Sequence, residues 1–236
     1  MGSAAEAATI DLVAAYREED FAEKVRNLEL TMDFLQQDKD SHFTAKRTED
    51  QIKLLAIQRE LELNVDGQVK YIDMSLADTL HSLIALDDGK GEKKAKKLAS
   101  EFKVSDKRFA WIKMRAFIQA RNIQALDALS KQKKLPIPIE SFVSCLVEAD
   151  LKDDAVKFVD KLRDSRGHPL ATEQITWYVK LEKYAEAVKV AVSVKDMGLV
   201  EQIQSQGAHT RPPSPPGRAC ADVLTHSRCA QCLRRC

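Results

Sequence analysis

The sequence predicts an all-α protein, an α-solenoid of stacked helix-turn-helix repeats of about 30 residues, on three observations. Turn-formers are scarce: the chain has eight Gly and seven Pro, and four of those prolines crowd into residues 212–216. Before residue 205 the good helix-formers Ala, Leu, Lys, Glu and Gln dominate. Apolar residues recur there at helical spacing, and no alternating apolar–polar run of strand length occurs.

Each element follows from local signals. Ser41 to Leu63 contains no Gly or Pro over some six turns, and reads as one long helix. Ser75 and Asp78 form a capping box that opens a helix over Leu76–Leu86. Ser105 stands where an N-cap belongs, ahead of a helix over residues 105–121. One apolar stripe on that helix is Phe109, Ile112, Ala116, Phe117 and Ala120; Trp111, Met114 and Ile118 form a second. A helix apolar on two sides is expected between neighbours, not on a surface.

The repeat appears when later segments are aligned. Glu92–Ala99, Ile123–Leu129, Asp153–Val159 and Tyr184–Ala191 share an alanine, at Ala95, Ala125, Ala155 and Ala187, spaced 30, 30 and 32 residues apart. A small residue at one fixed place lets two helices approach closely, and each of these segments follows another apolar helix. Stacked pairs that bury each other's open faces make a solenoid. The expected organisation is a solenoid over residues 1–205 and a disordered Pro/Cys-rich tail over 206–236. The stretch from Gly207 to Gly217 is read as non-helical.

Charge divides along the chain. Residues 1–88 carry 19 acidic and 9 basic side chains, and residues 89–136 carry 4 acidic and 14 basic, although the net charge is only +1. Such polarity can steer a partner or a membrane surface. Lys93, Lys94, Lys96 and Lys97 could contact acidic lipid, but read most simply as the solvent face of a helix whose buried stripe is Ala95, Leu98, Ala99 and Phe102. Nucleic-acid binding is not expected, because no exposed aromatics interleave with the basic residues and no finger or stacking-sheet signature is present.

No stretch is apolar for the roughly 18 residues that span a bilayer, and the N-terminus lacks a basic segment followed by an apolar one. Catalytic signatures are missing as well, so neither an enzyme nor a cofactor is expected. Gly89-Lys90-Gly91 has no P-loop or dinucleotide-loop spacing, and His42, His81 and His168 accompany no nucleophile motif. Cys145 reads as a small buried hydrophobe. Cys229 and Cys232 have the two-residue gap of zinc ligands, and Cys220 and Cys236 could complete four. Cys220 lacks a near partner, however, and no apolar residues surround the set, so no metal is expected. Reduced cysteines in the body suit an intracellular protein.

Three blocks carry a resemblance. The first includes Phe43, Lys46, Thr48, Glu49, Asp50, Gln51, Leu54 and Leu55, and continues through Gln58–Leu61. The second includes Asp73, Ser75, Leu76, Asp78 and Thr79, and the third Phe102, Asp106, Lys107, Arg108, Trp111 and Lys113. Lys131 to Lys134 and Pro138 to Val143 keep the register. In order and spacing these blocks resemble the C-terminal region of the vacuolar protein sorting-associated protein 16 family, over roughly residues 10–205.

The resemblance implies an α-solenoid without the family's N-terminal propeller. It further implies a scaffold role in the HOPS and CORVET tethering complexes of late endosome and vacuole or lysosome. The implied partner is the Sec1/Munc18-type subunit, vacuolar protein sorting-associated protein 33, which supports SNARE-mediated fusion. The implied location is cytoplasmic, peripheral on those membranes through the complex. The matching blocks place partner contacts at Arg47, Asp50, Gln51, Lys107 and Arg108. Arg47 stands where a small residue such as Ala is expected. Arg108 draws attention independently, because a cation in the first turn of a helix opposes the helix dipole and suggests an external carboxylate.

Overall fold

The computed structural model describes residues 4–64, 69–86, 89–132, 134–163 and 167–210. Twelve α-helices occupy most of them: α1 (Ala4–Arg17), α2 (Phe21–Gln37), α3 (His42–Asn64), α4 (Leu76–Ala85), α5 (Lys90–Glu101), α6 (Asp106–Gln119), α7 (Ile123–Ser130), α8 (Ile139–Glu148), α9 (Lys152–Val159), α10 (Ala171–Lys180), α11 (Tyr184–Ser193) and α12 (Met197–Thr210). Among the described residues the sole β feature is an isolated bridge between Arg163 and Pro169. The class is all-α, as the sequence predicts, and the succession of packed helix pairs accords with an α-solenoid.

The chain forms two compact units, residues 1–155 and 156–236. In the first, α2 packs on both α1 and α3; further on α4 packs on α5 and α6, and α6 on α7 and α8. Contact between next-but-one helices is what lets successive pairs close each other's apolar faces. In the second unit α11 packs on both α10 and α12.

The first three helices are joined by small cores. Ala15, Leu28 and Leu55 pack together, with Leu12, Phe21, Ile52 and Ile72 against them. Ala8, Leu35 and Ala45 form another cluster. α3 matches the long helix read from the sequence. It buries Gln58, whose amide Nε2 donates to the Met74 carbonyl and to Thr79 Oγ1, both at 2.8 Å. One carboxylate oxygen of Glu62 accepts from the backbone N–H groups of Tyr71 and Ile72 at 2.7 and 2.8 Å. Lys24 on α2, its side chain 4% exposed, donates to both oxygens of Asp73 at 2.7 Å. Asp73 itself has a left-handed backbone, φ 67°. These bonds hold the approach to α4, where Ser75 accepts from the Asp78 N–H at 3.1 Å and returns its hydroxyl to the Asp78 carboxylate at 2.7 Å.

The turns repeat a device that glycine usually supplies. Lys103, Arg121, Asp150, Glu182 and Lys195 all have φ between 51° and 61°. In each case the next residue's N–H reaches back to a carbonyl five positions earlier: Val104 to Ala99, Asn122 to Phe117, Leu151 to Leu146, Lys183 to Tyr178 and Asp196 to Ala191. Each left-handed residue's own N–H bonds the carbonyl three positions before it. These are Schellman closures, which satisfy the last carbonyls of one helix while reversing the chain into the next.

Three details differ from the sequence reading. Ala95, Ala155 and Ala187 are fully buried, but Ala125 is only half-buried and Leu126 occupies the interior beside it. On α6 the buried residues are Ala110, Met114, Ala116, Phe117 and Ile118, whereas Phe109, Ile112 and Trp111 are half-buried and Ala120 is exposed at the helix end. Finally, Gly207 to Thr210 are helical, not the start of a break. Gly207 fits because a Cβ there would sit 3.2 Å from Tyr184 Cγ, so glycine lets α12 lie close against that ring. The remainder of the tail lies outside the described residues.

Candidate partner-binding surface

The five residues expected at a partner surface fall into two sets. Arg47, Asp50 and Gln51 lie on α3; Lys107 and Arg108 open α6. Among the described residues no hydrogen bond or ion pair joins the two sets.

On α3, Arg47 is exposed and its guanidinium lies 5.4 Å from the centre of the Phe43 ring, which is 74% exposed. An open phenylalanine under an arginine is apolar area with a cation above it, a combination suited to protein contact. Tyr16 of α1 belongs to the same neighbourhood. Burial raises its hydroxyl pKa, and the charge of Arg47 opposes that rise. Asp50 is half-buried and 3.7 Å from Lys46 Nζ. Gln51 is half-buried. Lys46 and Lys53 reach Glu49 at 2.8 and 2.5 Å, and their hydrogen bonds bring its carboxyl down to about 2. Glu49 is therefore spoken for, and Arg47 is the cation of this stretch without a carboxylate.

On α6, Ser105 caps the helix by accepting from the Arg108 N–H at 3.4 Å, and Asp106 supplies the acid that the first turn favours. Lys107 and Arg108 are exposed. Arg108, Trp111, Ile112 and Arg115 line one side of an open groove of about 460 Å³, and Ala77, Asp78 and His81 of α4 line the other. Arg115 lies 6.0 Å from the Trp111 ring centre. Two arginines thus flank a half-buried tryptophan, with an aspartate across the groove.

Sequence reasoning singled out Arg108 but missed the groove. Trp111 was expected inside, as part of a second stripe, and His81 as an isolated histidine. The spacing of Arg108, Trp111 and Arg115 at three and four residues did hold the information, since it puts all three on one helix face.

Cys145 is buried and free, as expected. Burial and then the charge of Glu148 raise its thiol pKa, while Arg115 pulls the other way, so the neutral thiol is favoured. Cys220, Cys229, Cys232 and Cys236 lie outside the described residues. Among the described residues no group of His, Cys, Asp and Glu is arranged to hold a metal, and no helix is long and apolar enough to cross a membrane.

Comparison with known proteins agrees with the resemblance carried by the three blocks. Residues 3–222 match the family model described as Vps16, C-terminal region, a wider span than residues 10–205. The chain is 35% identical over 166 residues to the vacuolar protein sorting-associated protein 16 homolog of Dictyostelium discoideum, covering 70% of this chain and 19% of that protein. It is 35% identical over 176 residues to Protein VACUOLELESS1 of Arabidopsis thaliana, covering 75% and 19%. The homolog from Drosophila melanogaster is 28% identical over 160 residues, covering 67% and 18%. The chain spans about a fifth of the length of these relatives. With the helical architecture and the family match over most of the chain in agreement, this protein belongs to the Vps16 C-terminal region family of vacuolar protein sorting proteins.

Proposed function

We propose that this chain is a non-catalytic scaffold of HOPS and CORVET tethering complexes. In this role it binds the Sec1/Munc18-type subunit, vacuolar protein sorting-associated protein 33, and so supports SNARE-mediated fusion. Its place is cytoplasmic, peripheral on late endosome and vacuole or lysosome membranes through the complex. The observation that carries the reading is the α4–α6 groove, where exposed Arg108 and Arg115 frame half-buried Trp111. Arg and Trp are the residue types that dominate binding energy at protein interfaces. Arg108 can engage a partner carboxylate through two parallel hydrogen bonds. Lys107 adds a rim charge beside it, and Arg47 with Phe43, Asp50 and Gln51 forms a second contact on α3.

The test is co-purification with that Sec1/Munc18-type subunit, followed by calorimetry of Arg108→Glu. The variant retains the helical spectrum and melting temperature of the parent, because Arg108 is exposed. Reversing a charge that faces a carboxylate weakens binding by about a hundredfold. Failure to co-purify would leave a general solenoid adaptor as the better reading. Co-purification with unchanged affinity of Arg108→Glu would remove the α6 set from the interface.

A further inference from the structure

Lys93, Lys94, Lys96 and Lys97 of α5 are all exposed, and Lys90 opens the same helix. Among the described residues none of the five makes an ion pair. What sets α5 apart is the density of such lysines, five within the eight residues 90–97. Lys24, Lys46, Lys53, Lys113 and Lys131 each meet a carboxylate. Here lysines stand three and four positions from one another, at 90/93, 90/94, 93/96, 93/97 and 94/97. Like charges at those spacings destabilise a helix. Glu92 is committed to Lys113 of α6, at 2.5 Å, and among the described residues Glu101 at the end of the helix makes no ion pair.

At 3.6 residues per turn the five lysines fall within an arc of about 160° and a length of about 10 Å. The other face of α5 is fixed: Gly91, Ala95, Leu98 and Ala99 are buried. The arc therefore presents unpaired charge on a helix that cannot roll. No aromatic or large apolar side chain interrupts it, so it lacks the anchor of a protein hot spot and the stacking platform of a nucleic-acid groove. Lysine ammonium groups are hydrated point charges without arginine's fixed fork, which suits a diffuse layer of headgroups. Clusters of four to eight such charges are attracted to acidic leaflets.

We propose that the lysine face of α5 is a direct contact for anionic membrane surfaces. The contact stands independently of any Sec1/Munc18-type partner, and would let the chain touch the bilayer itself besides being held there by other proteins.

The test is sedimentation of the full 236-residue chain with vesicles of phosphatidylcholine containing 30% phosphatidylserine, against phosphatidylcholine alone, at low salt. The chain is expected to pellet with the acidic vesicles only. Each lysine at such a surface contributes about fivefold in partitioning, so replacing Lys93, Lys94, Lys96 and Lys97 together by Gln lowers it several hundredfold. Glutamine matches lysine in helix propensity, and circular dichroism checks that α5 survives. Should the fourfold variant fail to fold, the pair Lys93→Gln/Lys97→Gln is expected to give about 25-fold. A control neutralises the exposed Lys70, Lys134, Lys152 and Lys189 instead, and is expected to keep most of the binding. No binding to acidic vesicles, equal losses in both variants, or tighter binding to single-stranded RNA than to vesicles would each overturn the proposal.

Discussion

Asp73→Asn tests the most buried charge among the described residues. Lys24 keeps only 4% of its side chain exposed, and both its hydrogen bonds to a carboxylate go to Asp73, which is 57% exposed. The substitution changes charge and little else. Asparagine tolerates the left-handed φ of 67° as readily as aspartate, so no backbone strain is added. Breaking a fully buried pair from one side costs about 3–5 kcal/mol. Water still reaches the carboxylate side here, and the amide oxygen can accept one bond, which brings the cost to about 2 kcal/mol. In a cooperative unit of this size, 1 kcal/mol moves the melting temperature by about 2–4 °C, so a fall of about 4–8 °C is expected. Thermal melts followed by circular dichroism measure it. The double variant Lys24→Met/Asp73→Asn supplies the control, because removing both charges leaves no buried ammonium to satisfy and should recover most of the loss. A shift under 1 °C for Asp73→Asn, or additive losses in the double variant, would refute the reasoning.

Three further outcomes follow from the packing and electrostatics. Glu182→Gly relieves a left-handed residue at the α10–α11 turn; after the extra chain entropy glycine loses, about 0.5 kcal/mol of added stability is expected in a denaturant melt. Ala155→Leu overpacks a fully buried site and should cost about 1–3 kcal/mol, whereas Ala125→Leu, at a half-buried site, should cost clearly less. Glu49, with its carboxyl brought from 4.5 to about 2 by Lys46 and Lys53, contributes stability that is present above pH 4.5 and lost as pH falls toward 2. Glu49→Gln should lower stability slightly at neutral pH and flatten the acid-unfolding curve in that window, parent and variant converging near pH 2.

The sequence revealed those parts of the fold that depend on residues close together in the chain. The long α3, and the caps at Ser75 and Ser105, each rest on a few neighbouring side chains. The turns were harder because Lys103, Arg121, Asp150, Glu182 and Lys195 adopt a conformation normally signalled by glycine. There the apolar packing of the flanking helices outweighs a local cost of about 1 kcal/mol per residue. Gly207 misled in the opposite sense: a presumed breaker is a contact point for Tyr184. For the candidate site, exposure of Arg47 and Arg108 could be read from helical phase, but the groove could not. It needs Ala77 and His81 from one helix beside Trp111 and Arg115 from another, 30 or more residues later, and pairing at that range is a property of packing.

The five left-handed turn residues have a practical side. All are exposed, and each is held by hydrogen bonds of the backbone, not of its own side chain. Their side chains are thus interchangeable cargo on rigid mounts. A cysteine introduced at Asp150 or Glu182 would place a fluorophore or spin label on a pivot whose direction the main chain dictates. The main chain fixes where such a label is rooted, and the label's own torsions set the spread around that point.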